Sequence, residues 1–181
     1  MAKNHVESRT DRIYLTGFMG SGKSAVGRIL AAMLDRPFVD LDDVIVREAG
    51  MPIPEIFRHK GERAFREMER DVAARNAAGR RVVALGGGTV MDPATRRFLA
   101  GSGVLVYLKA NLDTLAERLR KERGHRPMLD GEKPVEERIA SLMRERGPVY
   151  ETAEWTVDTD NRSAEEVASC LYRRIREKQD D

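Results

Sequence analysis

The sequence predicts an α/β fold in which helices cover both faces of a parallel five-stranded sheet. Three observations carry that prediction. Strand-like and helix-like stretches alternate along the chain, two of the strands are continuous apolar runs, and a glycine-rich segment joins the first strand to the first helix. Alternation of this kind builds a parallel sheet with right-handed crossovers. The runs Val82-Val83-Ala84-Leu85 and Val104-Leu105-Val106-Tyr107-Leu108 suit strands buried on both faces. Ligands on such sheets bind beyond the carboxyl ends of the strands, so the candidate chemistry is sought there.

In order, strands are expected at residues 12–17, 37–40, 81–85, 103–109 and 155–158. Helical periodicity fills 22–34, 42–49, 61–77, 93–100, 111–120, 134–145 and 163–177. Pro93 directly after Asp92 suits a capped helix start, and Asn111 and Ser163 stand where caps of their helices belong. Residues 121–133, including Lys121-Glu122-Arg123-Gly124-His125-Arg126-Pro127, lack apolar periodicity and lie between two helices. A basic, glycine- and proline-containing segment there reads as a mobile lid over a nucleotide, or as a plain surface connection. Residues 1–11 are expected to be a disordered tail, 12–177 a single domain and 178–181 a frayed end. No internal repeat interrupts the pattern.

The chain has 181 residues, 41% hydrophobic and 34% charged, an ordinary balance for a soluble globular protein. A net charge of +2 from 32 basic and 30 acidic residues makes no case for a nucleic-acid surface. No window reaches the length of a membrane span, and residues 1–12 lack the apolar stretch of a signal peptide. A cytoplasmic monomer that binds neither nucleic acid nor membrane is expected. The single cysteine, Cys170, shares helical spacing with Val167, Leu171 and Ile175 and reads as a small core residue. His5, His59 and His125 have no metal-ligand spacing. Trp155 starts the last strand and reads as packing; Phe57 could wall an acceptor pocket or fill the core.

Gly17-Phe18-Met19-Gly20-Ser21-Gly22-Lys23-Ser24 reads G-x-x-x-x-G-K-S directly after Ile13-Tyr14-Leu15-Thr16. Glycines let successive backbone N–H groups curl around a phosphate, and the next helix begins there with its positive dipole end. Gly20, Ser21, Gly22, Lys23, Ser24 and Ala25 are therefore candidate nucleotide contacts. Lys23 supplies a mobile charge for the β and γ oxygens, and the Ser24 hydroxyl can ligate Mg²⁺. The chain is expected to bind ATP or GTP.

The acceptor side has its own signals. The second strand runs into Asp40-Leu41-Asp42-Asp43, and residues i and i+2 of a strand share a face, so Asp40 and Asp42 would point the same way if the strand extends that far. Neighbouring carboxylates repel a phosphate but accept hydrogen bonds from a hydroxyl or from Mg²⁺-bound water, which favours an alcohol acceptor over a nucleoside monophosphate. The alternative is that Asp42 only caps a helix. The third strand ends in Gly86-Gly87-Gly88-Thr89, which allows close approach of backbone to ligand. Arg66 and Glu69 are three apart on one helix face, so the acid either holds the guanidinium for a substrate or forms a solvated ion pair.

Taken together, these pieces resemble the shikimate kinases. The matching segments are Gly17 to Ser24, Asp40-Leu41-Asp42, Glu55-Ile56-Phe57, Gly61-Glu62, Phe65-Arg66, Gly86-Gly87-Gly88, Arg126-Pro127-Met128-Leu129 and Arg146-Gly147-Pro148-Val149-Tyr150. The resemblance implies the three-layer fold of P-loop nucleoside triphosphate hydrolases, with a lid. It implies transfer of the ATP γ-phosphoryl group to the 3-hydroxyl of shikimate, with Mg²⁺, in aromatic amino-acid biosynthesis. By position it makes Asp42 the carboxylate that activates the acceptor hydroxyl, with Lys23 and Arg126 covering the transferring group. Asp40 then lies near Mg²⁺ with Ser24. Arg66 and Arg146 grip the substrate carboxylate, Gly86, Gly87 and Gly88 line the same pocket, and Arg126 is also the lid contact to ATP. Arg120 falls near the family's other lid-side arginine, though the intervening loop is shorter here. Ala25 departs from the family, where a second hydroxyl residue is common.

Two rival readings stand beside this one. A gluconate or nucleoside monophosphate kinase would share the phosphate loop without the full acceptor set. A nucleotide switch would carry Asn/Thr-Lys-x-Asp after a strand, whereas this chain has Asp158-Thr159-Asp160-Asn161-Arg162.

Overall fold

The computed structural model describes residues 8–121 and 134–180. Its strands are β1 (Arg12–Thr16), β2 (Phe38–Asp40), β3 (Arg81–Ala84), β4 (Val104–Lys109) and β5 (Trp155–Asp158). Its α-helices are α1 (Lys23–Met33), α2 (Leu41–Ala49), α3 (Ile53–Arg75), α4 (Pro93–Ser102), α5 (Leu112–Lys121), α6 (Val135–Tyr150) and α7 (Ala164–Asp180). The strands form one parallel sheet in the order β2-β3-β1-β4-β5. The five-stranded parallel architecture is the one expected.

Side-chain alternation along each strand sorts the core into two layers. Tyr14, Val83, Leu105 and Tyr107 face a cluster that includes Leu41, Ile45, Ile56, Phe65, Leu99, Leu115, Ile139 and Tyr150. Ile13, Leu15, Val82, Val106 and Leu108 face the other cluster, with Leu30, Trp155, Leu171 and Ile175. Each fully buried large aliphatic or Phe side chain stabilises by about 1.5–3 kcal/mol. Trp155 is packed as expected, with the Arg174 guanidinium 4.6 Å from its ring centroid.

The expected caps form. Asp92 accepts from the Thr95 N–H at 2.8 Å, and Asn111 accepts from the Thr114 N–H at 2.8 Å. Ser163 and Glu166 cap each other reciprocally.

Helix boundaries depart from expectation in two places that matter for the site. α3 begins at Ile53 rather than at residue 61, because Pro52 and Pro54 occupy helix-start positions, where proline is tolerated. The chain then kinks at Gly61, whose φ of 78° and ψ of 169° are closed to other residues. α6 continues through Pro148 to Tyr150, although Gly147-Pro148 reads as a stop. Arg146 and Tyr150 are both buried, and tertiary packing overrides the local breaker signal.

Smaller corrections follow. Ser8 already caps a 3₁₀ turn at Arg9–Asp11, so the chain is folded before residue 12, and α7 runs on to Asp180. Cys170 is half-buried rather than a core residue. His59 is exposed, while His5 and His125 lie outside the described residues. So does the expected lid, except for Lys121, which ends α5 and pairs with Glu117 at 2.6 Å. Among the described residues no helix is long and apolar enough to cross a membrane.

Candidate active site

The phosphate loop springs from the carboxyl end of β1, at the centre of the sheet. Phe18 is buried and anchors it in the core. Gly22 caps α1 with φ 92°, a left-handed backbone that side chains resist. The Lys23 ammonium donates to the Gly17 and Phe18 carbonyls, both at 3.0 Å, and so lies along the loop. On its outer side Arg118 of α5 donates to the Gly20 carbonyl at 3.4 Å and to Thr159 after β5.

β2 ends at Asp40, and Asp42 belongs to the first turn of α2. The shared-face geometry expected for a strand therefore does not apply. The cap of α2 is Asp40, whose Oδ1 accepts from the Asp42 N–H at 3.1 Å. Its Oδ2 accepts from the Ser24 hydroxyl at 2.5 Å, which joins β2 to the phosphate loop. Asp42 turns instead toward the glycine segment: a Cβ on Gly86 would lie 3.0 Å from Asp42 Oδ1.

That segment follows β3 and is glycine for reasons of space. A Cβ on Gly86 would strike the Glu69 carboxylate, and one on Gly88 would strike the Arg66 guanidinium. Arg66 pairs with Glu69 and, at 3.1 Å, with Glu62. Glu69 is only 2% exposed and also accepts from the Thr89 hydroxyl at 3.0 Å. The Arg66–Glu69 pair is thus part-buried, anchored on the Glu69 side, and is not a fully solvated ion pair. Burial works against the Arg66 charge, but the Glu69 and Glu62 carboxylates outweigh it and raise its pKa. Arg146 reaches the same region from α6, 5% exposed, and its Nε has no partner among the described residues. A buried guanidinium with an unmet donor, facing a cleft, is suited to an anion.

All of this opens onto one cavity of about 480 Å³. Gly20, Gly22, Lys23, Ser24, Ala25, Asp40, Asp42, Arg66, Gly87, Gly88 and Arg146 line it, with Phe57 and Phe65 on its wall. Ser21 and Gly86 sit buried just behind that lining. Arg126 lies outside the described residues. Arg120 does not reach the cleft: it pairs with Glu136 of α6 in a separate groove. No sequence pattern marks Arg118, Thr89, Thr159 or Tyr150, because each acts through a partner distant in sequence or through backbone.

The family model described as shikimate kinase matches residues 19–176. A shikimate kinase of Thermus thermophilus is 45% identical over 177 residues, covering 97% of this chain and 95% of that one. The chain belongs to the shikimate kinase family. A Salinibacter ruber shikimate kinase is 46% identical over 164 residues, covering 86% of this chain and 80% of its own. The solved shikimate kinase from Acinetobacter baumannii in complex with shikimate superposes with a TM-score of 0.88 at 35% identity, covering 93% of this chain and 94% of that one. Shikimate kinases are ATP-dependent, and membership sets aside the nucleotide switch.

Proposed function

We propose that this cleft transfers the γ-phosphoryl group of ATP to the 3-hydroxyl of shikimate, giving shikimate 3-phosphate and ADP on the route to chorismate and the aromatic amino acids. The observation that carries the reading is the single cavity shared by the phosphate loop and by Asp42, Arg66 and Arg146. Phosphoryl transfer has a loose transition state, so positioning and charge neutralisation do most of the catalysis. The loop N–H groups and α1 dipole cradle the phosphates, and Lys23 leaves its loop carbonyls for the β and γ oxygens. Arg66 and Arg146 bind the shikimate carboxylate with planar forks that lysine cannot reproduce. Glu69, itself held by Thr89, keeps Arg66 aimed. Asp42 accepts a hydrogen bond from the attacking hydroxyl. As the new O–P bond forms and the bond to the β–γ bridging oxygen breaks, the proton passes late to Asp42, since a carboxylate is a weak base for an alcohol.

Ser24 and Asp40 suit Mg²⁺. They offer hard oxygen donors 2.5 Å apart beside the loop, Asp40 through water, with no dense acidic cluster among the described residues, and Mg²⁺ commonly takes one or two protein ligands plus phosphates and water. When bound, the ion neutralises charge on the phosphate oxygens. Arg126 and the lid are assigned from the family resemblance: they would close over the phosphates and keep water out.

A coupled ADP-release assay tests the reading. Turnover is expected only with shikimate, ATP and Mg²⁺ together. Equal or faster turnover with gluconate or a nucleoside monophosphate would overturn it.

A further inference from the structure

Tyr150 closes the Arg146-Gly147-Pro148-Val149-Tyr150 segment, yet the reaction above gives it no task. It is the last residue of α6 and 0% exposed. A phenol is buried at a cost unless its hydroxyl finds a partner. Here the hydroxyl donates to the Gly87 carbonyl at 2.5 Å. The ring lies against Tyr107, with centroids 5.3 Å apart and planes 25° from parallel. Burial pushes the phenol up to about 12, against the opposing pull of Arg146 one helical turn earlier, so the donor keeps its proton at neutral pH.

Gly87 is the middle of the glycine segment and a junction between the two halves of the cleft. A Cβ on it would lie 3.7 Å from the Gly17 carbonyl oxygen and 3.8 Å from the Met19 nitrogen, both in the phosphate loop. Peptides here are trans, and a trans peptide points its C=O and N–H in opposite directions. Anchoring the Gly87 carbonyl on Tyr150 therefore turns the Gly88 N–H away from that hydroxyl. Gly87 and Gly88 both line the cleft, and Arg66 packs against Gly88.

We propose that Tyr150 is a positioning residue for the phosphoryl acceptor: through the Gly87 carbonyl it fixes the plane of the Gly87–Gly88 peptide and the register of the acceptor pocket against the phosphate loop. The same hydroxyl accepts a hydrogen bond from Arg146 one turn earlier on α6, so one phenol ties a carboxylate-binding guanidinium to the backbone opposite it. The inference rests on the proposed reaction, since it concerns how that acceptor is held.

The test compares Tyr150→Phe with Tyr107→Phe. Both keep the stacked rings, and only the first removes the hydroxyl that donates to the Gly87 carbonyl and accepts from Arg146. ADP release is measured with shikimate and ATP varied separately, alongside the thermal midpoint. Tyr150→Phe is expected to lower kcat/KM for shikimate about tenfold, the scale of one lost buried hydrogen bond, with the ATP KM unchanged. Tyr107→Phe is expected to leave both substrates unaffected. Equal losses in the two variants, or a Tyr150→Phe protein in which the KM values of ATP and shikimate rise in step, would assign Tyr150 a structural role and overturn the proposal. A wild-type protein without shikimate-dependent turnover overturns the reaction and this inference together. An active wild-type protein indistinguishable from Tyr150→Phe overturns this inference alone.

Discussion

The phosphate side of the cleft comes from one contiguous stretch, Gly17 to Ser24, whereas the acceptor side is gathered from α2, α3, the glycine segment after β3, and α6. The first is mostly backbone, shaped by glycines and a helix start. The second is mostly charged side chains, some of them held by another residue: Arg66 by Glu69 and Glu62, and Glu69 by Thr89. A contiguous loop needs only its local conformation to be competent. A gathered pocket needs the whole layer of helices to be in register, so distant changes should reach shikimate before they reach ATP.

The sharpest break in that comparison is Asp42→Asn, which removes the proposed proton acceptor without touching the loop. It is expected to cut kcat by about 10² or more while ATP still binds, as read by ADP release and by nucleotide titration. A near-normal rate would take Asp42 out of the chemistry. Next comes Arg66→Lys, which keeps the charge and loses the fork. Its shikimate KM is expected to rise about tenfold with the ATP KM unmoved; an unchanged shikimate KM would reduce Arg66 to a strut for Glu69.

Gly61→Ala probes the gathering itself. Gly61 has open space around it but a backbone conformation reserved for glycine, so the substitution should cost about 1–3 kcal/mol in thermal or denaturant unfolding. The strain falls where α3 bends to bring Ile53, Pro54 and Phe57 to the cleft, so the shikimate KM should rise and the ATP KM should not. The smallest effect is a control in neither half. Asp92→Ala is expected to lose about 1 kcal/mol of stability at neutral pH and to leave both KM values alone. Hydrogen bonds from Thr95 hold the Asp92 pKa below the ordinary carboxyl value. The cap's contribution is therefore present above the unfolded-state pKa and lost as pH falls through the folded one, so the two proteins should converge in acid.

The same contrast explains what could be read from the chain. The central strands β1, β3 and β4 were legible because parallel strands buried on both faces leave apolar runs, and the phosphate loop because its residues are consecutive; the edge strands β2 and β5 are half-buried or alternate and are legible only from the alternation of strand-like and helix-like stretches. The first half of α3 was hidden by Pro52, Pro54 and Gly61, which read as breakers although two of them sit at a helix start. The end of α6 was hidden by Gly147-Pro148, where burial of Arg146 and Tyr150 outweighs local propensity. Asp40 and Asp42 both line the cleft, but a helix begins between them, so the shared strand face expected from their spacing is absent. Arg118 with Thr159 and Tyr150 with Gly87 lie 41 and 63 residues apart, and no local pattern announces such contacts. Arg120, which the family resemblance places near a lid-side arginine, faces Glu136 instead.

The measurement that bears most directly on the shared cleft is ³¹P NMR of the wild-type protein turning over ATP, Mg²⁺ and shikimate. A phosphomonoester resonance should grow one for one with ADP, with no inorganic phosphate and no ADP when shikimate is omitted. Inorganic phosphate rising in place of the monoester, or ADP forming at the same rate without shikimate, would mean that the two halves do not deliver their groups to one another.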